Sequence, residues 1–244
     1  MFKNRDIYRN IATRKGLTAF KVTVKETDLM IHASRDFSKE AKDIVLKYRQ
    51  YIESHIASFP DFATTLVPWD NRFPAHQIIR EMCDAGKKAG VGPMASIAGA
   101  VAEYTGRELS QLSDQVIVEN GGDIYLNIKG DLTMGIYAGQ SPLSMKLGLK
   151  LENIQKPFSV CTSSGTIGHS LSMGTSDAVC VVSDSTLLAD AAATSIGNHV
   201  KSENDINDAI NFGQTINGVK GIVVIAKDKI GMWGEINIVK LKNS

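Results

Sequence analysis

Cysteine is scarce in this chain of 244 residues: Cys83, Cys161 and Cys180 are an odd number, and no two form a CxxC pair. That argues against a disulfide framework and against a thiolate zinc site. Long hydrophobic runs are missing too. No stretch approaches the roughly 20 apolar residues of a membrane span, and the basic N-terminus MFKNRDIYRNIATRKGLTAF never develops the apolar run of about 7–15 residues of a secretory signal. A cytoplasmic location with no membrane partner is the expectation. Charge of one sign is also lacking, with 27 Lys plus Arg against 26 Asp plus Glu and a net charge of +1. Such a chain has no global field to hold a polyanion, so a nucleic-acid partner is not expected. What is present is apolar material, 43% hydrophobic against 22% charged residues. It is enough for a sizeable core in a single domain covering residues 1–244.

Basic side chains crowd the start of the chain: Lys3, Arg5, Arg9, Arg14, Lys15, Lys21 and Lys25 face one acid, Asp6, among residues 1–25. They form either a solvated edge or an anion site. Phe20 to Val24 and Leu29 to Ala33 alternate around Lys25-Glu26-Thr27-Asp28 and read as a β-hairpin. Helical spacing follows in Ala41, Ile44, Val45, Tyr48, Tyr51, Ile52 and Ile56, with Ser38 as the expected cap. Phe59 to Pro74, broken by three prolines, reads as an ordered connector before a helix from His76 to Lys87.

Gly90 to Tyr104 begins with turn residues and continues as a small-residue helix. Its glycines either serve close packing or leave N–H groups free for a ligand. From Gln115 the segments VIVEN, DIYLNI, LTMGIYA and MKLGLKL read as an antiparallel meander. Further strands are expected at 158–162, 178–182, 221–226 and 233–239, with helices at 185–200 and 205–211. Strands and helices do not alternate one for one, which favours an α+β fold, an antiparallel sheet packed with helices.

Three segments combine glycine, hydroxyl or amide groups and charge beyond what a core requires. Glu119-Asn120-Gly121-Gly122-Asp123-Ile124 could be a hairpin connector or a ligand turn of bare backbone. Thr162-Ser163-Ser164-Gly165-Thr166-Ile167-Gly168-His169-Ser170 could offer several donors to phosphate oxygens. It lacks the GxxxxGK and GxSxG patterns. His169 is set among small polar residues, where hydrogen bonding and catalysis are both open. In Leu188-Ala189-Asp190-Ala191-Ala192-Ala193-Thr194, a carboxylate and a hydroxyl four apart share a helix face. Hard oxygens of that kind suit Mg²⁺.

DAAAT resembles the DALxT motif of the ApbE family, enzymes that cleave FAD and attach FMN through a phosphoester to a Thr or Ser of a target protein. NGGDI is similar to that family's NxGGDI turn, TSSGT to its TSG segment, and AGAVAE, with Gly99 and Glu103, to its KGYxVD helix. The order along the chain is the same. The chain departs from the family at Ala98, where the family has lysine, and at His169-Ser170-Leu171-Ser172-Met173-Gly174-Thr175, which keeps the histidine of HxIDPxTG without the IDP. It resembles most the short cytoplasmic relatives of ApbE without a lipoprotein leader.

The resemblance implies a T-fold-like core and Mg²⁺ held by Asp190 and Thr194. It implies FAD or a related flavin nucleotide held by Glu103, Asn120, Gly121, Gly122, Asp123, Thr162, Ser163, Ser164, Gly165 and Thr166, and catalysis by His169. Two activities follow: FMN transfer to an acceptor protein, or FAD hydrolysis. A flavin- or nucleotide-binding protein without catalysis is the alternative. An exposed β edge or the small-residue helix offers a face for a homodimer.

Overall fold

The computed structural model describes residues 16–70, 73–164 and 174–241. The chain opens with β1 (Thr18–Val24) and β2 (Thr27–Ala33). The hairpin turn is tighter than expected: Val24 pairs with Thr27, Lys25 takes a positive φ of 52°, and Thr27 and Asp28 join the strand. Helix α1 (Ser38–Ser58) follows. Its Ala41, Val45 and Ile52 are buried, and Ile44, Tyr48, Tyr51 and Ile56 pack beside them, as the spacing predicts. Ser38 is not the cap. The carboxylate of Asp36 accepts the Ser38 N–H at 2.7 Å instead.

The connector holds a 3₁₀ turn at Pro60–Ala63 before α2 (Gln77–Ala89). A second 3₁₀ turn, Pro93–Ser96, leads directly into α3 (Ile97–Leu109). Strands β3 (Val116–Asn120) and β4 (Asp123–Asn127) form a hairpin closed by Gly121 and Gly122, both at positive φ. A type I′-like turn needs that conformation at both central positions, and glycine adopts it without a Cβ penalty.

The expected meander is interrupted at this point. β5 (Gly130–Gly135) and β6 (Leu147–Ile154) leave the main sheet and form a separate three-stranded sheet with β11 (Asn237–Lys240), ordered β11-β6-β5. β7 (Phe158–Ser163) then returns to pair with β4, followed by β8 (Ala178–Ser183), α4 (Thr186–Asn198), a 3₁₀ turn at Glu203–Asp205, α5 (Ile206–Gln214), β9 (Val219–Ala226) and β10 (Lys229–Gly234). The single strand expected at 233–239 is two strands in two sheets, because the chain turns at Gly234, where φ is +93°.

The main sheet has eight strands in the order β1-β2-β3-β4-β7-β8-β9-β10, all antiparallel. The period-two alternation of each strand assigns its two faces. Val116, Val118 and Tyr125 pack with α1, α2 and α3, and Cys161, Val179, Val181, Ile222 and Val224 pack with α4 and α5. Ile117, Leu126, Val160 and Val182 point the other way, onto Leu132, Met134, Leu149 and Leu151 of the small sheet. The result is three layers: helices, main sheet, small sheet. Every residue of α4 from Thr186 to Gly197 is buried. This helix therefore sits wholly inside, between the sheet and its neighbouring helices.

One contact tests the tightness of the helix layer. A Cβ built on Gly106 of α3 would lie 2.0 Å from the Tyr125 ring. Helix propensity alone makes Gly106→Ala stabilising by about 1 kcal/mol, whereas overpacking costs about 1–3 kcal/mol. Packing should win, and urea unfolding should show the variant less stable than the parent.

Candidate functional site

Four segments meet at one end of the helix layer. Asp123 is the first residue of β4, opposite Asn120 across the glycine turn and opposite Cys161 on β7. Alternation puts it on the face of Tyr125 and Cys161, toward the helices. Asp190 comes from the second turn of α4 and is 7% exposed, and Asp123 is 8% exposed. The Asp190 Oδ2 accepts the N–H of Gly99, in the first turn of α3, at 2.8 Å. Glycine is required at position 99, since a Cβ there would lie 2.4 Å from the Thr186 carbonyl oxygen and 2.9 Å from the Asp190 Cβ. Asn120 completes the joint by donating its side-chain amide to the Ala98 carbonyl at 3.0 Å.

The electrostatics are unusual for carboxylates. Burial pushes the Asp123 carboxyl up to about 7, opposed by a hydrogen bond with the Cys161 thiol and reinforced by the charge of Glu119. Asp190 is raised well above the ordinary carboxylate range, first by burial and then by Asp123, with the backbone N–H groups of Gly99 and Ala98 pulling the other way. Cys161 lies between them. Its thiol donates to the Thr186 carbonyl at 3.4 Å, and burial and the two aspartates raise it far above a reactive value. It is a buried filler and no nucleophile.

The remaining predicted residues divide. Thr194 lies one turn beyond Asp190 on α4, also buried. Thr162 turns its hydroxyl to the opposite face of the sheet, 3.2 Å from the Cys180 sulfur, and meets the glycine turn through its backbone, donating its N–H to the Gly122 carbonyl at 3.1 Å. Ser163 shares the helix face with Cys161 and is buried, and its hydroxyl has no hydrogen-bond partner among the described residues. Ser164 ends the described stretch. Gly165, Thr166 and His169 lie outside the described residues.

Glu103 is 2% exposed, and protein groups engage both of its carboxylate oxygens. Oε2 accepts the N–H groups of Thr186 at 2.6 Å and Leu187 at 3.3 Å and the Ser185 hydroxyl at 3.2 Å, and Oε1 pairs with Arg107. It caps the N-terminus of α4 from a different helix. No local pattern announces this cap, because Glu103 and its partners on α4 are more than eighty positions apart. Of the two readings of the glycines opening α3, close packing or N–H groups free for a ligand, Gly99 follows the first: it packs on α4, and its N–H is bonded by Asp190.

Among the described residues no three His, Cys, Asp or Glu side chains gather as a metal cluster. The buried carboxylates of Asp123 and Asp190, close enough for the charge of one to act on the other, and the buried Thr194 hydroxyl one turn along α4 are nevertheless hard oxygens. This donor set fits Mg²⁺, which keeps several waters and needs only one or two protein carboxylates. A surface groove of about 490 Å³ lies elsewhere, lined by Phe59, Val67, Trp69 and Phe73 on the connector. It adjoins the lead-in to α3 through the Gly92 N–H, which donates to the Leu66 carbonyl at 3.0 Å.

The raised Asp123 carboxyl fixes a pH dependence. A carboxyl whose folded pKa lies above its unfolded value contributes stability that is full below the unfolded value, near 3.8, and is lost as pH rises through about 7. Removing the titration by Asp123→Asn should therefore improve stability relative to the parent as pH rises from 5 to 8. Thermal melts of both proteins without divalent ions measure the difference, and a gap that does not change over that interval contradicts a buried, neutral-prone Asp123.

The family model described as AbpE bacteria matches residues 9–232. A UPF0280 protein of Methanocaldococcus jannaschii is 41% identical over 222 residues, covering 88% of this chain and 90% of its own length. A UPF0280 protein of Methanococcus maripaludis is 39% identical with the same coverage. Among solved structures, the flavin transferase ApbE from Vibrio cholerae superposes with a TM-score of 0.55 at 11% identity, covering 89% of this chain and 96% of its own. The ApbE protein of Thermotoga maritima gives 0.53 at 12% identity, over 88% and 96%. The chain belongs to the family described as AbpE bacteria and has the ApbE fold.

Proposed function

We propose that this protein is a divalent-cation-dependent enzyme that breaks the pyrophosphate of FAD and passes the FMN phosphoryl group to a hydroxyl. The observation that carries the reading is the buried pair Asp123 and Asp190, two desolvated carboxyls meeting at the α3 N-terminus with no cation beside them among the described residues. The names of its structural neighbours, flavin transferases, supply the substrate class.

In this reading Asp190, Thr194 and Asp123 would hold Mg²⁺, which when bound would supply positive charge against that developing on the phosphoryl oxygens. The glycine turn at 121–122 lets a flat substrate approach bare backbone, and the Ser163 hydroxyl, without a hydrogen-bond partner among the described residues, can donate to a phosphate oxygen. The acceptor oxygen forms a bond to the FMN phosphorus as the bond to AMP breaks, and AMP leaves with the electron pair. His169, assigned by its motif, takes the acceptor's proton. With a protein Thr or Ser as acceptor the product is a phosphoester. With water it is free FMN.

Ala98, standing where the ApbE family has lysine, favours a second reading in which the protein binds the flavin without consuming it. Incubation with FAD and Mg²⁺ decides between them. AMP should accumulate, and Asp190→Ala should slow its release by about 100-fold or more. A melting temperature raised by FAD with no AMP formed selects the binding protein, and no response to any flavin nucleotide overturns both.

A further inference from the structure

The two helices that bring the site together each cap the other. Asp190 of α4 accepts the N–H of Gly99 at the start of α3, and Glu103 of α3 accepts the N–H groups of Thr186 and Leu187 at the start of α4. Residues 99 and 103 are one turn apart on α3, and 186 and 190 are one turn apart on α4. The four positions therefore form a closed loop of two helical turns and two carboxylate bonds. An anion at a helix N-terminus is favoured by the free N–H groups and by the helix dipole, so each bond draws the two helices together at a fixed offset.

Glu103 has a further anchor, since Arg107 pairs with it and with Glu81 of α2 at 3.2 Å. Asp190 has no such basic partner among the described residues and is instead opposed by Asp123. Of the two caps, Glu103 is thus the secured one and Asp190 the strained one.

We propose that Glu103 is a positioning residue for the Asp190 site: by clamping the first turn of α4 it holds the Asp190 carboxylate against Gly99, ready for a divalent cation. This rests on the proposed metal role of Asp190, but its first consequence does not. With Glu103 removed, the α4 N-terminus loses its three acceptor contacts and the Gly99 bond loosens with it.

Amide exchange of the intact protein, followed by NMR, reads this directly. In Glu103→Ala the Gly99 amide should exchange at least about 10-fold faster relative to central-sheet amides such as Val181. Glu108→Ala removes a carboxylate of the same helix bonded to Lys47 and Tyr48 and should leave Gly99 unchanged. Glu103→Gln keeps the volume and one acceptor oxygen, so it should fall between, and it supplies the reading if the alanine variant does not fold. Titration with Mn²⁺ alone should then show affinity weakened about 10-fold in Glu103→Ala. Gly99 exchange unchanged in a folded Glu103 variant overturns the proposal. A parent protein that binds no Mn²⁺ overturns the metal role of Asp190 instead, and the Gly99 amide still decides the clamp.

Discussion

The reciprocal capping of α3 and α4 is the constraint on which the site depends. Neither helix makes its opening turn alone. The N–H groups that start α3 are bonded by a side chain from α4, and those that start α4 by a side chain from α3. The close approach this needs explains Gly99, whose missing Cβ lets α3 rest on the Thr186 carbonyl. It also explains the small side chains of α4, where Ala189, Ala191, Ala192 and Ala193 are fully buried. Alanine loses no rotamer entropy on burial and favours helix, so a helix enclosed on all sides can be built from it at little conformational cost.

The same closeness creates an electrostatic deficit. Asp190 is held at the positive end of α3, which favours its ionised form, while burial and the nearby Asp123 disfavour it. Asp123 has the Cys161 thiol for a partner on its strand neighbour, and burial drives it to about 7. Two carboxyls that repel each other in a low-dielectric interior settle by keeping a proton or by acquiring a cation. A buried site that gained nothing from such a pair would be better built from apolar groups of the same size, since uncompensated charge is strongly destabilising. The pair is therefore more economically explained as half of a site than as part of a core.

How much of this was legible in the sequence varies with the range of the interaction. Local signals read well: the stripe from Ala41 to Ile56, the small-residue helix, the glycine hairpin and the shared face of Asp190 and Thr194 all follow from spacing within one element. Sheet membership did not, because β5 and β6 alternate like members of a meander. The difference lies in their two faces. β8 is buried throughout and β7 nearly so, as strands between two layers must be, whereas β5 and β6 bury one side only and lie as an outer layer. The role of Glu103 was invisible for another reason. A cap supplied by a helix eighty residues away leaves no pattern near either residue, and only the resemblance to an acidic position in a family helix drew attention to it.

The crossed caps also bear on how a neutral chain would recognise phosphate. With a net charge of +1 there is no basic surface to do it, and the usual substitute is a helix N-terminus with free N–H groups. Here the leading candidates are taken, Gly99 by Asp190 and Thr186 and Leu187 by Glu103. A phosphate arriving at this joint meets carboxylates where it would need donors, and the repulsion is severe unless a cation stands between them. Helix ends of a kind that elsewhere bind anions are here filled by side-chain carboxylates, and under the proposed function the Asp190 end would take a cation instead. On that proposal, phosphate recognition would fall to the cation, to the backbone of the turn at Gly121 and Gly122, and to the Ser163 hydroxyl. Under the proposed function, that division of labour would make binding of a flavin nucleotide conditional on the metal, which a site built on open helix N-termini would not require.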